Sequence, residues 1–198
     1  MARHKNLTGA NLHEPKGAAT ALSGQTYVAD GLGSGNWTYS PLGWGYYLDN
    51  AAEQTFTTTA SKLSIDGLGS LTNETYLPPE IRGSGSLWDT ANDKITPIRL
   101  GDGYDIRLEL PITTDSGASE LTLELDIGGT SSPTIVVLPR FLTMAKTPPY
   151  TISIGFPLVV LTSTVITNGI QLFCKTDAGT VGITKPSILI KRDFDGNM

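Results

Sequence analysis

The sequence is short of the residues on which most catalytic and metal-binding sites depend. Its 198 residues include two histidines, His4 and His13, and one cysteine, Cys174. A single cysteine excludes an intramolecular disulfide framework and a cysteine-based metal cluster. The histidines lack the spacing of metal ligands, and no histidine follows residue 13 to serve as a general base. The sequence therefore predicts a protein that is not an enzyme and that carries no cofactor or metal.

Positive charge and long apolar runs are also scarce. Lys and Arg number 14 against 19 Asp and Glu, so the net charge is −5. Nucleic acids and anionic membranes attract basic surfaces, and we expect neither as a partner. The longest apolar run, Phe156 to Leu161, is too short to span a bilayer and contains Pro157. The first residues lack the apolar core of a secretion signal, so assembly in a cytoplasm is expected.

Two stretches of strict alternation dominate what is present. Apolar residues alternate with polar ones from Tyr104 to Ile112, and again from Leu121 to Ile127. A period of two places the apolar side chains on one face of a strand. The polar connector around Gly117 suits a hairpin and equally a crossing between two sheets. The opposite face is expected to be wet and acidic, with Asp105, Arg107, Glu109, Glu124 and Asp126 on it.

Further strand candidates follow at spacings near ten residues and are separated by turns rich in Gly and Pro. About eight strands without a sustained helical period predict an all-β fold, a β-sandwich with the jelly roll as its leading version. We expect this domain to cover residues 51–198. Besides the alternating stretches, the candidates are residues 54–59, 62–65, 134–142, 150–160, 169–175, 181–183 and 186–192.

Residues 1–50 have a different character. Their apolar residues show no period, and Pro15 and several glycines interrupt any helix. Such a segment buries too little surface to fold alone, because ordering each residue costs about 1–2 kcal/mol. Yet it is rich in Tyr and Trp. An extended arm that becomes ordered against another surface explains both facts, and a strand or loop packed on its own domain is the alternative.

Three local patterns carry weaker signals. Residues 31–35 match part of a phosphate-binding loop but lack the Lys-Ser/Thr ending and the flanking strand and helix. Acids next to glycines, such as Asp102 and Asp126, could hold calcium, although tight turns use the same residues. A saccharide site needs an exposed aromatic ring beside acids or amides, and residues 88–93, which begin with Trp88, have that mixture. Trp88 could equally belong to the core.

Several segments resemble structural proteins of tailed bacteriophages. Residues 12–21 and 25–38 resemble the N-terminal segment that precedes a β-rich domain in those proteins. The remainder is similar to their jelly-roll trimers of the tumour-necrosis-factor (TNF) type. The segments that carry this similarity are residues 95–98, 103–110, 125–129, 168–173 and 187–192. The resemblance spans most of the chain, and the motifs that carry it are short and allow many substitutions.

This resemblance implies a homotrimeric capsid decoration protein, or cement protein, on the surface of a virion assembled in the host cytoplasm. Its N-terminal arm would dock on the major capsid protein, and the trimer would stabilise neighbouring capsomers. The alternatives are a tail-fibre or head-fibre adhesin, whose jelly roll binds a host glycan with Trp88 as a candidate contact, and a polysaccharide-cleaving sandwich enzyme. The arm residues expected to contact the capsid are Leu12, His13, Pro15, Tyr27, Val28, Trp37 and Tyr39.

Overall fold

The computed structural model describes residues 21–22, 25–29, 35–143 and 147–196. The chain divides into two compact units, Met1–Pro41 and Leu42–Met198. In the first unit, β1 (Gln25–Ala29) and β2 (Gly35–Tyr39) form an antiparallel hairpin. In the second unit, almost all regular structure is antiparallel sheet, as Gly-rich, Thr-rich sequences with apolar alternation favour.

The first sheet of the second unit, sheet I, is built around one long strand, β8 (Gly103–Ser116). Along one side β8 pairs with β14 and β13, and along the other it pairs with β11. β14 also pairs with β3, and β13 with β4. The bounds of these partner strands are β3 (Gly43–Leu48), β4 (Gln54–Phe56), β11 (Tyr150–Val159), β13 (Thr180–Ile183) and β14 (Ser187–Phe194).

Sheet II faces sheet I and runs in the order β10-β9-β12-β7-β6, with β5 pairing on β12. A single-turn helix, α1 (Ser163–Asn168), precedes β12. Among the described residues no helix has the length and apolar character needed to cross a membrane. The strands of sheet II are β5 (Ser61–Lys62), β6 (Trp88–Asp89), β7 (Lys94–Ile95), β9 (Glu120–Asp126), β10 (Val136–Thr143) and β12 (Ile170–Thr176).

The connections between the long strands make this sandwich a jelly roll. From β8 the chain crosses to β9 in sheet II, turns into β10, and crosses back to β11 in sheet I. It then crosses to β12 and returns to β13 and β14. The connector around Gly117, whose φ is +76°, is thus a crossing between sheets and not a hairpin. The predicted all-β class, with a jelly-roll sandwich, is confirmed.

The core lies between the inward faces of the two sheets. On β8, Tyr104, Ile106, Leu108, Leu110 and Ile112 are all buried, as their alternation predicts. Leu121, Leu123 and Leu125 of β9 meet them from sheet II. Burial of each large apolar side chain stabilises the fold by about 1.5–3 kcal/mol.

The prediction of a wet acidic face is right for β8 and wrong for β9. Arg107 and Glu109 are exposed on β8, whereas Glu124 and Asp126 of β9 are buried. On the second face of β9, the backbone N–H groups of Gly128 and Thr134 donate to Asp126 and enclose it. Lys175 Nζ lies 2.5 Å from Glu124 Oε1 and compensates its charge. Both faces of this strand are therefore inside the protein.

The first fifty residues do not form a single arm. β3 pairs with β14 over Gly43–Leu48 and is an integral strand of sheet I. The division between the two units falls at residues 41 and 42, about one strand earlier than the boundary expected at residue 50. Pairing with a strand near the other end of the chain explains why local sequence did not indicate it.

Candidate functional site

The hairpin of the first unit brings two of the predicted docking residues together. Tyr27 and Trp37 are direct cross-strand partners. Their ring centroids lie 5.5 Å apart in an edge-to-face arrangement with an interplanar angle of 63°. Aromatic pairs prefer this geometry and stabilise a hairpin by about 0.2–1 kcal/mol. Val28 lies between Tyr27 and the strand end and is exposed. The middle of the hairpin therefore carries an aromatic pair on one face and an exposed Val28 on the other.

Tyr39 closes the same hairpin through its backbone pairing with Gln25. The remaining predicted docking residues, Leu12, His13 and Pro15, lie outside the described residues. A two-stranded hairpin of five residue pairs is at best marginally stable in water. Two-stranded hairpins of this size gain stability when their side chains pack against a further element.

Trp88 is not available to a glycan. Its side chain is 1% exposed and belongs to the core between the sheets. Its indole Nε1 donates a 2.8 Å hydrogen bond to the backbone oxygen of Ile65. The expected role as an exposed platform for a saccharide is wrong, because no face of the ring reaches the surface. The mixture of Trp, Asp and Asn at 88–93 belongs instead to a short strand and the turn that follows it.

An exposed aromatic pair lies elsewhere on the sandwich. The rings of Trp44 and Tyr76 are stacked, with centroids 5.1 Å apart. Trp44 N also donates to Tyr76 O at 2.8 Å, which holds the loop carrying Tyr76 against β3. Tyr76 is 54% exposed. Sequence reasoning missed this pair, because stacking joins two residues from different segments.

The acids considered for calcium are occupied by protein groups. Asp102 is buried and accepts hydrogen bonds from the Tyr104 hydroxyl at 2.9 Å and from Gly196 N at 3.1 Å. Asp126 accepts backbone hydrogen bonds from Gly128 and Thr134, both at 2.8 Å. Within the described ranges there is no group of three His, Cys, Asp or Glu residues placed to hold a metal. These acids organise loops.

Asp102 also belongs to a buried charge cluster at one end of sheet I. Arg192 Nη2 lies 2.6 Å from Asp102 Oδ1 and 3.1 Å from Asp195 Oδ1, and Arg192 also pairs with Glu80. Arg192 and Asp102 are both fully buried. Burial, reinforced by the Asp102 carboxylate, raises the pKa of Tyr104 above its ordinary value, so its hydroxyl stays a donor. The cluster ties the end of β14 to two loops and is structural.

The sandwich is open along the side formed by β10 and β11. In the described part of the chain, each of these strands has only one hydrogen-bonded neighbour, β9 and β8 respectively. Apart from the buried Phe156, their inward apolar side chains pack on the core but are only partly buried. We call this side the open edge; its inward apolar residues are Leu138, Leu142, Ile152, Ile154 and Leu158.

One end of the open edge contains an apolar cleft of about 340 Å³. Its walls include Leu125, Leu138, Leu158, Val165 and Ile170, which come from both sheets and α1. Large apolar side chains remain solvent-exposed in and beside the cleft. They are Ile135 (48%), Val136 (40%), Val137 (46%), Val159 (55%) and Leu161 (76%). Contiguous apolar surface of this kind marks a site of protein interaction.

No known family model matches this chain, and no curated protein matches it in sequence. Solved structures with a similar arrangement include the PRD1 vertex protein P5, at 11% identity and a TM-score of 0.44, with 76% of this chain and 95% of that chain covered. The Eiger TNF of S. frugiperda has 10% identity and a TM-score of 0.39, with coverage of 77% and 93%. A Bacillus endospore appendage that forms disulfide-linked pili has 11% identity and a TM-score of 0.35, with coverage of 80% and 96%. Likeness at this level indicates no activity or partner for this chain.

Proposed function

We propose that this chain is a structural protein of a bacteriophage virion, a homotrimeric decoration protein that docks on the major capsid protein and stabilises neighbouring capsomers. The observation that carries the proposal is the open edge, where two strands with one free edge each, an apolar cleft and exposed aliphatic side chains coincide. A solitary soluble domain rarely leaves such a surface in water. Association with further copies covers it.

The hairpin supplies the second contact that a decoration protein needs. Its Tyr27–Trp37 pair and the exposed Val28 are the kinds of side chain that anchor protein interfaces. Because the hairpin is marginal alone, docking on a capsid protein would order and stabilise it. The resemblance of residues 12–21 and 25–38 to phage structural proteins supports the same role.

Binding of full-length variants to capsids that lack this protein tests the proposal. Trp37→Ala removes the larger ring of the pair, and a Trp at the centre of an interface contributes about 2 kcal/mol or more. We expect Trp37→Ala to bind capsids at least about 30-fold more weakly while the trimer remains intact. Thr26→Ala, an exposed position on the same hairpin, is the matched control and should bind like the unaltered protein. Unchanged capsid binding by Trp37→Ala would contradict the docking role.

A glycan-binding adhesin is the second candidate, and the stacked Trp44–Tyr76 pair favours it. The half-exposed Tyr76 offers a ring on which a sugar could stack. Titration of host-surface polysaccharide, followed by tryptophan fluorescence, tests this candidate. Binding that Tyr76→Ala abolishes would favour the adhesin. Binding to capsids with no response to polysaccharide would favour the decoration protein.

A further inference from the structure

Arg140 lies in the middle of the open edge and has no ion-pair partner among the described residues. Arg140 is opposite Leu123 in the pairing of β10 with β9, so it shares the core-facing side of the strand. Leu138 and Leu142 flank it on that side. Its Nε is buried and has no hydrogen-bond partner. Across the described residues, its guanidinium makes no ion pair either.

This placement is unfavourable for a monomer. A guanidinium is always charged and presents five N–H donors, and burying any of them without an acceptor is costly. The planar group is suited to a carboxylate that approaches from the side. The free side of the open edge is the route by which such a carboxylate could reach Arg140. No described acid of this chain pairs with Arg140, and a carboxylate of a second molecule would supply the acceptor.

A complementary carboxylate lies on the outer face of sheet I. Glu109 points away from the core on β8 and is exposed. The cations Arg107 and Lys191 already have acidic partners, since Arg107 pairs with Asp105 at 3.1 Å and Lys191 with Asp193 at 2.6 Å. Within the described residues Glu109 has neither an ion pair nor a hydrogen bond to a side chain. Arg140 and Glu109 are thus an unmatched cation and an unmatched anion on different surfaces of the described chain.

The surroundings of Glu109 allow another strand edge to come close. Ser153 on β11 and Ser187 on β14 are its cross-strand neighbours, and both are small. Gly155 follows on β11, and a Cβ placed there would meet only Ile106 O, at 3.9 Å. The outward row of β11 is therefore flat. An incoming edge could reach Glu109 without displacing large side chains.

We propose that the open edge of one copy packs against the outer face of sheet I of the next copy, and that Arg140 pairs with Glu109 of that second copy. The inference rests on the proposed homotrimer. It gives each copy two different contact surfaces, which is the requirement for a head-to-tail ring. The apolar residues of the open edge supply the buried surface, and the charge pair sets the orientation.

Charge exchange in the full-length protein tests the pairing. Arg140→Glu and Glu109→Arg each place like charges together, and each should weaken self-association at least about 30-fold, measured by sedimentation equilibrium at micromolar concentration. The double variant Arg140→Glu/Glu109→Arg restores opposite charges and should recover association to within about tenfold of the unaltered protein. Lys185→Glu, in the exposed turn before β14, is the control and should not change association.

Glu109→Gln separates a loss of association from a loss of folding, because it changes one exposed carboxylate into an amide of similar size. It should keep the circular dichroism spectrum of the folded protein and still weaken association. Trimers that persist in all of these variants, or a double variant that fails to recover, would overturn the pairing while leaving the homotrimer in place. A monomer at micromolar concentration for the unaltered protein, both free and eluted from particles, would overturn the homotrimer itself.

Discussion

The buried charge cluster gives the most direct test of how this fold is held together. Arg192 is fully buried and pairs with the fully buried Asp102, as well as with Asp195 and Glu80. Arg192→Leu would leave the Asp102 carboxylate without its cation inside the protein. Removing one partner of a buried ion pair costs about 3–5 kcal/mol. In a domain of this size, each kcal/mol lowers the midpoint of thermal unfolding by about 2–4 °C. We therefore expect Arg192→Leu to lower the thermal midpoint by about 6–20 °C.

The assay is urea and thermal unfolding followed by circular dichroism, at one protein concentration because association stabilises the folded state. Arg107→Leu is the matched control. Its side chain is 68% exposed and pairs with Asp105 at 3.1 Å on the outer face of the same sheet. An exposed pair of this kind contributes at most about 1 kcal/mol. Equal decreases in the free energy of unfolding for the two variants would refute the reasoning, because a buried and an exposed arginine would then stabilise the fold equally.

Other predictions concern three buried side chains. Burial, with the charge of Asp66, raises the pKa of Asp49 above its ordinary value of 3.8, so folding favours the neutral acid. The contribution of Asp49 to stability is present below pH 3.8 and is lost as the pH rises through the raised pKa. Asp49→Asn should remove this loss, measured by urea unfolding at a series of pH values from about pH 4 upward. An unchanged pH dependence of stability would contradict the assignment. Complete burial, together with the charge of Glu124, raises the pKa of Cys174 to about 12. A thiol reagent should therefore modify Cys174 only after unfolding, and rapid labelling of the native protein would disprove its burial. Trp88→Phe deletes the donor to Ile65 O and should cost about 1–3 kcal/mol in urea unfolding, with a loss near zero counting against that hydrogen bond.

Much of the sandwich is predictable from local patterns. The alternation from Tyr104 to Ile112 identifies the buried face of β8, because side-chain direction along a strand depends only on residue parity. Turn residues mark most strand ends for a similarly local reason. The open edge was not predictable in this way. Leu138 and Leu158 look like any other core residues in sequence, and only the order of strands in each sheet leaves them at the margin.

The candidate site depends on the same non-local information. The sequence indicates that Tyr27 and Trp37 are aromatic and that Arg140 is charged, but pairing between strands decides which neighbours they have. Arg140 resembles a solvated residue until its opposition to Leu123 places it on the core-facing side. Trp88 is the opposite case: its polar neighbours in sequence suggest exposure, but residues distant in sequence bury its side chain.

The amino-acid sequence by itself determined the all-β class, the dry face of β8 and the scarcity of catalytic groups, because composition and a period of two are properties of the chain alone. Only the tertiary structure shows which strand faces are exposed to solvent. Glu124 and Asp126 have the same alternation as the acids of β8, yet they are buried, because Lys175 on β12 pairs with Glu124 and backbone N–H groups of the loop after β9 enclose Asp126. Exposure is set by neighbours distant in sequence, and no local pattern encodes them.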